Sequence, residues 1–165
     1  MASKKDKPKL IVDSREKVPH RYPKELWSFI GDVVVSPLKD GDYTLDVFKD
    51  KKWLWLERKH SCAELYSNII GKDRARFFKC LERAKLYRYR YVVVEDTLGS
   101  LWSLRKRVPR MRARPDALLA RILELSMDYG IHFVFAGSSA ERVCRSLLKR
   151  AYEKWRRYLK NDSYS

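Results

Sequence analysis

Residues 53–59 read Trp-Leu-Trp-Leu-Glu-Arg-Lys, and this stretch decides the fold. Alternating large apolar residues after the turn Asp50-Lys51-Lys52 predict a β-strand over Trp53–Lys59. Side chains two residues apart on a strand share a face, so Glu57 and Lys59 are predicted to point to one side and Arg58 to the other. A carboxylate and an ammonium group held together on one face of a sheet can serve hydrolysis.

Upstream of this strand, short apolar runs bounded by Gly, Pro and Asp predict three further strands. They cover Leu10–Val12, Val33–Val35 and Tyr43–Phe48. A short helix over Tyr22–Ile30, after Pro23, separates the first two strands. Because only short turns separate the last three of the four strands, this part of the chain is predicted to be an antiparallel meander.

Downstream of residue 60, the apolar period changes to helical spacing and alternates with two apolar strands. The predicted elements are a helix from Cys62, a helix over Asp73–Tyr87, a strand over Tyr91–Val94, a helix over Pro115–Tyr129, a strand over Ile131–Phe135 and a C-terminal helix after Ser138-Ser139. The predicted fold class is therefore α/β, with a mixed β-sheet flanked by α-helices. We expect a basic flexible tail at 1–9, one domain at 10–160 and a flexible C-terminus at 161–165.

The composition predicts a polyanionic partner. Of 165 residues, 37 are Lys or Arg and 21 are Asp or Glu, which gives a net charge of +16. An excess of this size favours nucleic acid as the partner. Hydrophobic residues make up 45% of the chain, which is enough for a buried core.

Several classes of protein are excluded. No run of 18 or more apolar residues is present, so no membrane-spanning helix and no membrane association is predicted, and the N-terminus lacks a secretory signal. The three cysteines are widely spaced and predict neither a disulfide framework nor a zinc site. We therefore expect an intracellular protein located with the DNA, in the cytoplasm or nucleoid, or in the nucleus of a eukaryote.

The acidic residues are a minority, and several follow predicted strands or turns. Asp13 and Glu16 follow the first strand, Asp42 lies in a Gly-Asp turn, and Glu57 lies on the fourth strand. Carboxylates from separate strands can hold a hard divalent cation, and Lys59 can orient water or stabilise charge beside it. The alternative is that Asp42 is an ordinary turn residue and Glu57 a solvated strand end.

Three segments resemble the signature of the XPF-type nucleases, a branch of the restriction-endonuclease-like PD-(D/E)XK superfamily. They are Ile11–Glu16, Gly41–Tyr43 and Leu56–Lys59. The resemblance continues through Ala63–Leu65, Arg74–Phe77 and Tyr91–Glu95, and it covers about residues 10–158. It implies a restriction-endonuclease-like fold and a DNA endonuclease that uses Mg²⁺ or Mn²⁺.

Carried over by position, the resemblance assigns roles to six residues. Asp42 and Glu57 are expected to be metal ligands, with Asp13 as a third, and Lys59 is expected to be the catalytic lysine. Glu16 and Arg58 also match active-site positions. The implied substrate is a flap, a fork or a Holliday junction. No helix-hairpin-helix module follows the domain in this sequence, so a nuclease with little structure preference remains an alternative, as does a non-catalytic DNA-binding or scaffold protein.

Basic residues supply the candidate DNA contacts. Residues 105–114 are predicted to form a basic loop that binds phosphates, and the alternative is a solvated charged loop. The predicted DNA-binding residues are Arg105, Lys106, Arg107, Arg110, Arg112 and Arg114 in this segment, together with Arg15, Lys72, Arg74 and Arg76.

A homodimer through the C-terminal helix is also expected. A four-way junction needs two symmetric cuts, which a two-fold dimer supplies. The helix carries more apolar residues than one core stripe requires, namely Leu147, Leu148, Ala151, Trp155 and Leu159. The competing interpretation packs this helix on its own sheet in a monomer.

Overall fold

The structure, a computed structural model, describes residues 7–16 and 27–162. Within those residues the chain forms six strands and five α-helices. The strands are β1 (Lys9–Asp13), β2 (Asp32–Ser36), β3 (Tyr43–Leu45), β4 (Leu54–Lys59), β5 (Tyr89–Val94) and β6 (His132–Phe135). The helices are α1 (Cys62–Ile69), α2 (Arg74–Ala84), α3 (Leu104–Arg107), α4 (Pro115–Tyr129) and α5 (Ala140–Asp162). Most of the predicted helix over Tyr22–Ile30 lies outside the described residues, and residues 27–29 form a turn.

The strands form two three-stranded sheets, with the orders β2-β1-β3 and β4-β5-β6. β1 is parallel to β2 and antiparallel to β3, whereas β4, β5 and β6 are all parallel. The predicted antiparallel meander is therefore wrong. After Leu45 the chain turns into a 3₁₀ helix over Asp46–Phe48, so β3 is too short to pair along β4.

The sheet β4-β5-β6 forms the central layer, with a core on each face. On one face Trp55, Val92 and Val94 pack against α1, α2 and α4. On the other face Leu56 and Val93 pack against the first sheet and α5. Burial on both faces explains the continuous apolar character of β5, and the mixed α/β fold predicted from the sequence is confirmed. Of the helices described, none has the length and apolarity needed to cross a membrane.

The N-terminus of α1 follows directly from β4 and is fixed by its cap. Ser61 Oγ accepts a hydrogen bond from the Glu64 N–H at 3.1 Å, and Glu64 Oε2 accepts one from the His60 N–H at 2.8 Å. The first of these bonds satisfies an amide group that the first turn of a helix leaves without a partner, and the second ties the residue before the N-cap to that turn. The cap also brings the Glu64 carboxylate back beside the end of β4.

The predicted basic loop over 105–114 is wrong in its first half. Residues 104–107 form the one-turn helix α3, and only residues 108–114 form a loop. Leu104 and Met111 are buried in the core beside α1, so they fix this segment at two points. The charged residues between these two anchors are left on the surface.

Helix α5 packs along the second core. Ala140, Cys144, Leu148 and Ala151 are buried there, at spacings of three and four residues. The Trp53 Nε1–H donates a hydrogen bond to the Ala151 carbonyl at 3.0 Å, which links the helix to the start of β4.

Candidate active site

The Gly41-Asp42 turn joins the two sheets beside Glu57. The Asp42 N–H donates to the Leu56 carbonyl at 2.9 Å, and the Arg58 N–H donates to Asp42 Oδ2 at 2.7 Å. Gly41 has a φ of +75°, and a Cβ here would lie 2.8 Å from the Leu56 oxygen, so the close approach requires glycine. Asp42 is thereby bonded to β4 on both sides of Glu57.

Glu57 and Lys59 share one face of β4, as the alternation predicts. Lys59 Nζ lies 2.8 Å from Glu57 Oε1, 3.4 Å from Glu64 Oε1 and 5.2 Å from the centre of the Phe77 ring. Burial alone would lower the pKa of Lys59, but the charges on Glu57 and Glu64 and the hydrogen bond to Glu57 raise it above its ordinary value. Lys59 is therefore a fixed ammonium cation at neutral pH.

Asp42 is held in an electrostatically unfavourable place. Its partial burial and the negative charge of Glu57 raise the pKa of Asp42 well above 3.8, although the Arg58 N–H and the charge on Lys59 act in the opposite direction. Asp42 and Glu57 are therefore close enough for their negative charges to repel each other.

The Asp13 carboxylate accepts its hydrogen bonds from Arg15 and Leu38. Arg15 Nε donates to Asp13 Oδ2 at 2.9 Å, and the N–H groups of Arg15 and Leu38 donate to Asp13 Oδ1 at 3.2 and 3.4 Å. Burial acts to raise the pKa of Asp13, but these hydrogen bonds and the charge on Arg15 lower it overall. In the part of the chain that the structure describes, no three His, Cys, Asp or Glu side chains are grouped so that they could hold a metal ion. The metal-ligand role of Asp13 stays a prediction.

Arg58 points to the opposite face of β4, where it forms a buried ion-pair network. Its Nε and Nη2 donate to the two carboxylate oxygens of Glu95 at 2.8 and 2.9 Å, and its Nη1 lies 3.3 Å from Glu16 Oε1. His60 lies 3.3 Å from both Glu16 and Glu95. Glu16 and Arg58 therefore form an ion pair with each other, whereas Glu57 and Lys59 lie on the opposite face of β4.

The sequence analysis did not assign Glu95 a role. It follows the buried strand Tyr91–Val94 directly, and β5 is parallel to β4. Its position at the same edge of the sheet as Lys59 was the signal that could have indicated a role for Glu95 near the site. His60 also has no role predicted from the sequence, and it lies between the two carboxylates that bind Arg58.

The face of β4 that carries Glu57 and Lys59 opens into a cleft with a basic rim. Asp42, Glu57 and Lys59 line the cleft together with Asp13, Glu16 and Glu64. The cations around them are Arg15, Lys39, Arg76 and Arg83. Sequence analysis predicted Arg15 and Arg76 but missed Lys39 and Arg83, because nothing in their local pattern distinguishes them from other surface cations. A phosphate backbone can therefore approach the carboxylates over positive charge.

The remaining predicted DNA-binding residues lie outside the cleft lining and are exposed. They are Lys72, Arg74, Arg105, Lys106, Arg107, Arg110, Arg112 and Arg114. Arg107 pairs with Asp96 at 2.8 Å, and Asp96 accepts the Cys62 N–H at the start of α1. The segment 105–114 therefore lies over the helix that begins directly after Lys59.

Comparisons with known proteins agree with this geometry. The model of the ERCC4 domain matches residues 12–144. Among solved structures, XPF from Aeropyrum pernix is similar at 25% sequence identity and a TM-score of 0.57, over 94% of this chain and 73% of that chain. No curated protein matches.

The fold and the site together define a restriction-endonuclease-like nuclease domain. The family model spans most of the sequence, including every residue of the candidate site. This chain belongs to the ERCC4 domain family, which is that of the XPF-type nucleases, and the family acts on DNA.

The repulsion at Asp42 predicts a stability effect. A carboxyl group with a raised folded-state pKa binds more protons when folded, so the free energy of unfolding falls as pH rises from 3.8 towards that raised pKa. In EDTA at about pH 7.5, Asp42→Asn should raise the free energy of unfolding by about 1 kcal/mol, because it removes the charge but keeps an acceptor for the Arg58 N–H.

Urea unfolding of both proteins from about pH 4 to pH 8 measures this difference, and the gain should vanish towards the acidic end. Glu153→Gln, at an exposed ion pair with Arg150, is the control and should change stability little. A loss of stability in Asp42→Asn at neutral pH would contradict the proposed repulsion.

Proposed function

We propose that this chain is a divalent-metal-dependent endonuclease that cleaves branched DNA, with flaps, forks and Holliday junctions as its substrates. The observation that carries the proposal is the convergence of Asp42, Glu57 and Lys59 in a cleft whose rim is basic. Family membership supports the nuclease activity.

The donors in the cleft fit a divalent metal. Asp42 and Glu57 offer carboxylate oxygens, the ligand type that Mg²⁺ and Mn²⁺ take. Burial and the charge on Glu57 raise the pKa of Asp42, and a bound cation would favour its ionised form. Mg²⁺ or Mn²⁺ held there would polarise a phosphoryl oxygen and lower the pKa of bound water.

The cations of the cleft have separate roles in this proposal. Lys59 lies against Glu57 and Glu64, where its ammonium group stabilises negative charge or orients water. Arg15 and Arg76 at the rim contact phosphates. Glu16, Arg58, Glu95 and His60 act as positioning residues, because their network fixes the strand that carries Glu57 and Lys59.

Two other functions are weighed against this one. A nuclease with little structure preference would use the same cleft, and only cleavage assays separate it from the proposal. A non-catalytic DNA-binding or scaffold protein is disfavoured, since Asp42, Glu57 and Lys59 are all present and adjacent to the basic rim. In either case we propose that the protein acts inside the cell where the DNA is held.

The first test is cleavage of end-labelled duplex, flap, fork and four-way junction, with and without Mg²⁺. Asp42→Asn and Glu57→Gln should each lower cleavage by about 100-fold or more while DNA binding persists, because they remove charge from the proposed metal ligands. Glu153→Gln is the matched control and should cleave as the wild type does. Cleavage close to the wild-type rate by both variants would contradict the assignment of Asp42 and Glu57 as metal ligands.

The second test concerns the basic segment. Replacing Arg110, Arg112 and Arg114 with Ala should weaken binding to every DNA shape and flatten the dependence of affinity on salt by about 0.9 in the log–log slope for each lost phosphate contact. Replacement of Arg142, Lys149 and Arg150, which are exposed on α5, is the control for net charge. An unchanged slope in the first variant would mean that the segment is a solvated surface.

The homodimer through α5 remains a prediction. Leu148 and Ala151 are buried in the chain's own core, and Leu147 and Trp155 pack against that core. Of the five residues predicted for the seam, Leu159 is the exposed one, at 45%. Exposed apolar side chains also lie one turn apart on α4, at Leu123 and Met127.

Light scattering at micromolar concentration in high salt measures the mass directly. A dimer through α5 should have twice the 19.7 kDa of one chain and should dissociate in Leu159→Glu but not in Met127→Glu. Dissociation in Met127→Glu alone would place the seam on α4. A mass of 19.7 kDa for the free protein, and a complex that contains one chain per junction, would end the dimer prediction and favour flaps as substrates.

A further inference from the structure

A second groove lies at the opposite end of β4 from the candidate active site. It has a volume of about 460 Å³ and opens between residues 51–53, Arg88 and the last turns of α5. A strand rises about 3.3 Å per residue, so Trp53 and Glu57 are roughly 13 Å apart along β4. That distance is about four nucleotides at the duplex rise of about 3.4 Å per nucleotide.

Three aromatic rings form one wall of this groove. The ring centres are 5.0 Å apart for Trp53 and Trp155, 5.5 Å for Trp53 and Tyr158, and 5.8 Å for Trp155 and Tyr158. Trp53 is 5% exposed and hydrogen-bonded to Ala151, whereas Tyr158 is 42% exposed. The cluster therefore presents the Tyr158 ring to solvent on a rigid base.

Cations line the same groove. Lys51, Lys52 and Arg88 contribute to it, and the Arg88 guanidinium lies 5.0 Å from the centre of the Trp53 ring. Among the described residues that line the groove there is no carboxylate. A second copy of this chain packed here about a two-fold axis would set these cations against themselves, so the charge favours a polyanion. The same argument weighs against a dimer seam at Leu159, which lines this groove.

The groove adjoins the active-site cleft through a shared polar network. Lys52 Nζ lies 3.2 Å from Asp40 Oδ2 and 3.1 Å from the Tyr87 hydroxyl, and Arg83 forms an ion pair with the same Asp40. Asp40 and Arg83 line the cleft that contains Asp42 and Glu57. A DNA strand that leaves the cleft over Arg83 would therefore reach Lys52 next.

We propose that this groove binds single-stranded DNA, with a base stacked on Tyr158 and phosphates on Lys51 and Arg88. Aromatic side chains stack on the bases of single-stranded DNA, and basic side chains bind its phosphates. In duplex DNA, by contrast, the faces of the bases are covered by their neighbours in the stack. The inference rests on the proposed function, because the bound strand is then the unpaired arm of the branched substrate held in the cleft.

The test is fluorescence anisotropy of a labelled 20-nucleotide oligo-dT in EDTA, where the proposed metal-dependent cleavage does not proceed. Tyr158→Ala should weaken single-strand binding about 10-fold or more, Tyr158→Phe should bind as the wild type does, and blunt duplex binding should change less than about two-fold in both. Lys51→Gln should reduce the salt slope for the single strand by about 0.7.

Three results would overturn the inference. One is equal affinity of Tyr158→Ala and the wild type for oligo-dT, and another is an equal loss for the single strand and the duplex. A change of mass in Tyr158→Ala by light scattering, with oligo-dT affinity unchanged, would assign the groove to a second copy and also overturn it. Urea unfolding midpoints of the Tyr158 variants confirm that both are folded.

This outcome is separable from that of the cleavage assay. Loss of single-strand binding in Tyr158→Ala, in a protein that cleaves no substrate with Mg²⁺, would support the groove and refute the proposed function. Normal cleavage of branched DNA with unchanged single-strand binding would support the proposed function and refute the inference about the groove.

Discussion

Two hydrogen bonds between Asp42 and β4 hold the site together. The backbone N–H of Asp42 reaches the Leu56 carbonyl, and the Asp42 carboxylate accepts the Arg58 N–H, so one residue bonds to both neighbours of Glu57. β3 and β4 do not pair along their length, and this contact is where the first sheet meets the second. Without a Cβ at Gly41 the turn can come this close, and the relative position of the two candidate metal ligands follows from it.

The same contact creates an electrostatic cost that the fold tolerates. Asp42 is drawn towards Glu57 by backbone geometry, and its burial together with the negative charge on Glu57 raises the pKa of Asp42. Lys59 offsets part of the repulsion, since it lies against Glu57 and keeps its proton. Functional sites commonly combine such unfavourable like charges with a rigid scaffold.

Much of this arrangement could be predicted from the sequence, and the rest could not for identifiable reasons. The alternation of residues 53–59 was enough to place Glu57 and Lys59 on one face and Arg58 on the other. Strand pairing was predicted wrongly, because the sequence does not show that β3 stops at Leu45 and that β1 pairs with both β2 and β3. The sequence also does not show that the Arg15 side chain donates a hydrogen bond to the Asp13 carboxylate, since that contact depends on the turn after β1. Arg58 and its partner Glu95 are 37 positions apart in the sequence, and local pattern carries no information about their pairing.

The buried Arg58 network has a consequence for the accuracy of folding. Side chains alternate with a period of two, so a slip of β4 by one residue against β5 would turn Arg58 towards the cleft and bury Glu57 and Lys59 in the apolar core. In the native register, by contrast, Arg58 meets the carboxylates of Glu95 and Glu16. A buried charge that finds partners in only one alignment penalises every other alignment. The charged residue between Glu57 and Lys59 thus selects the one register in which those two groups face the cleft.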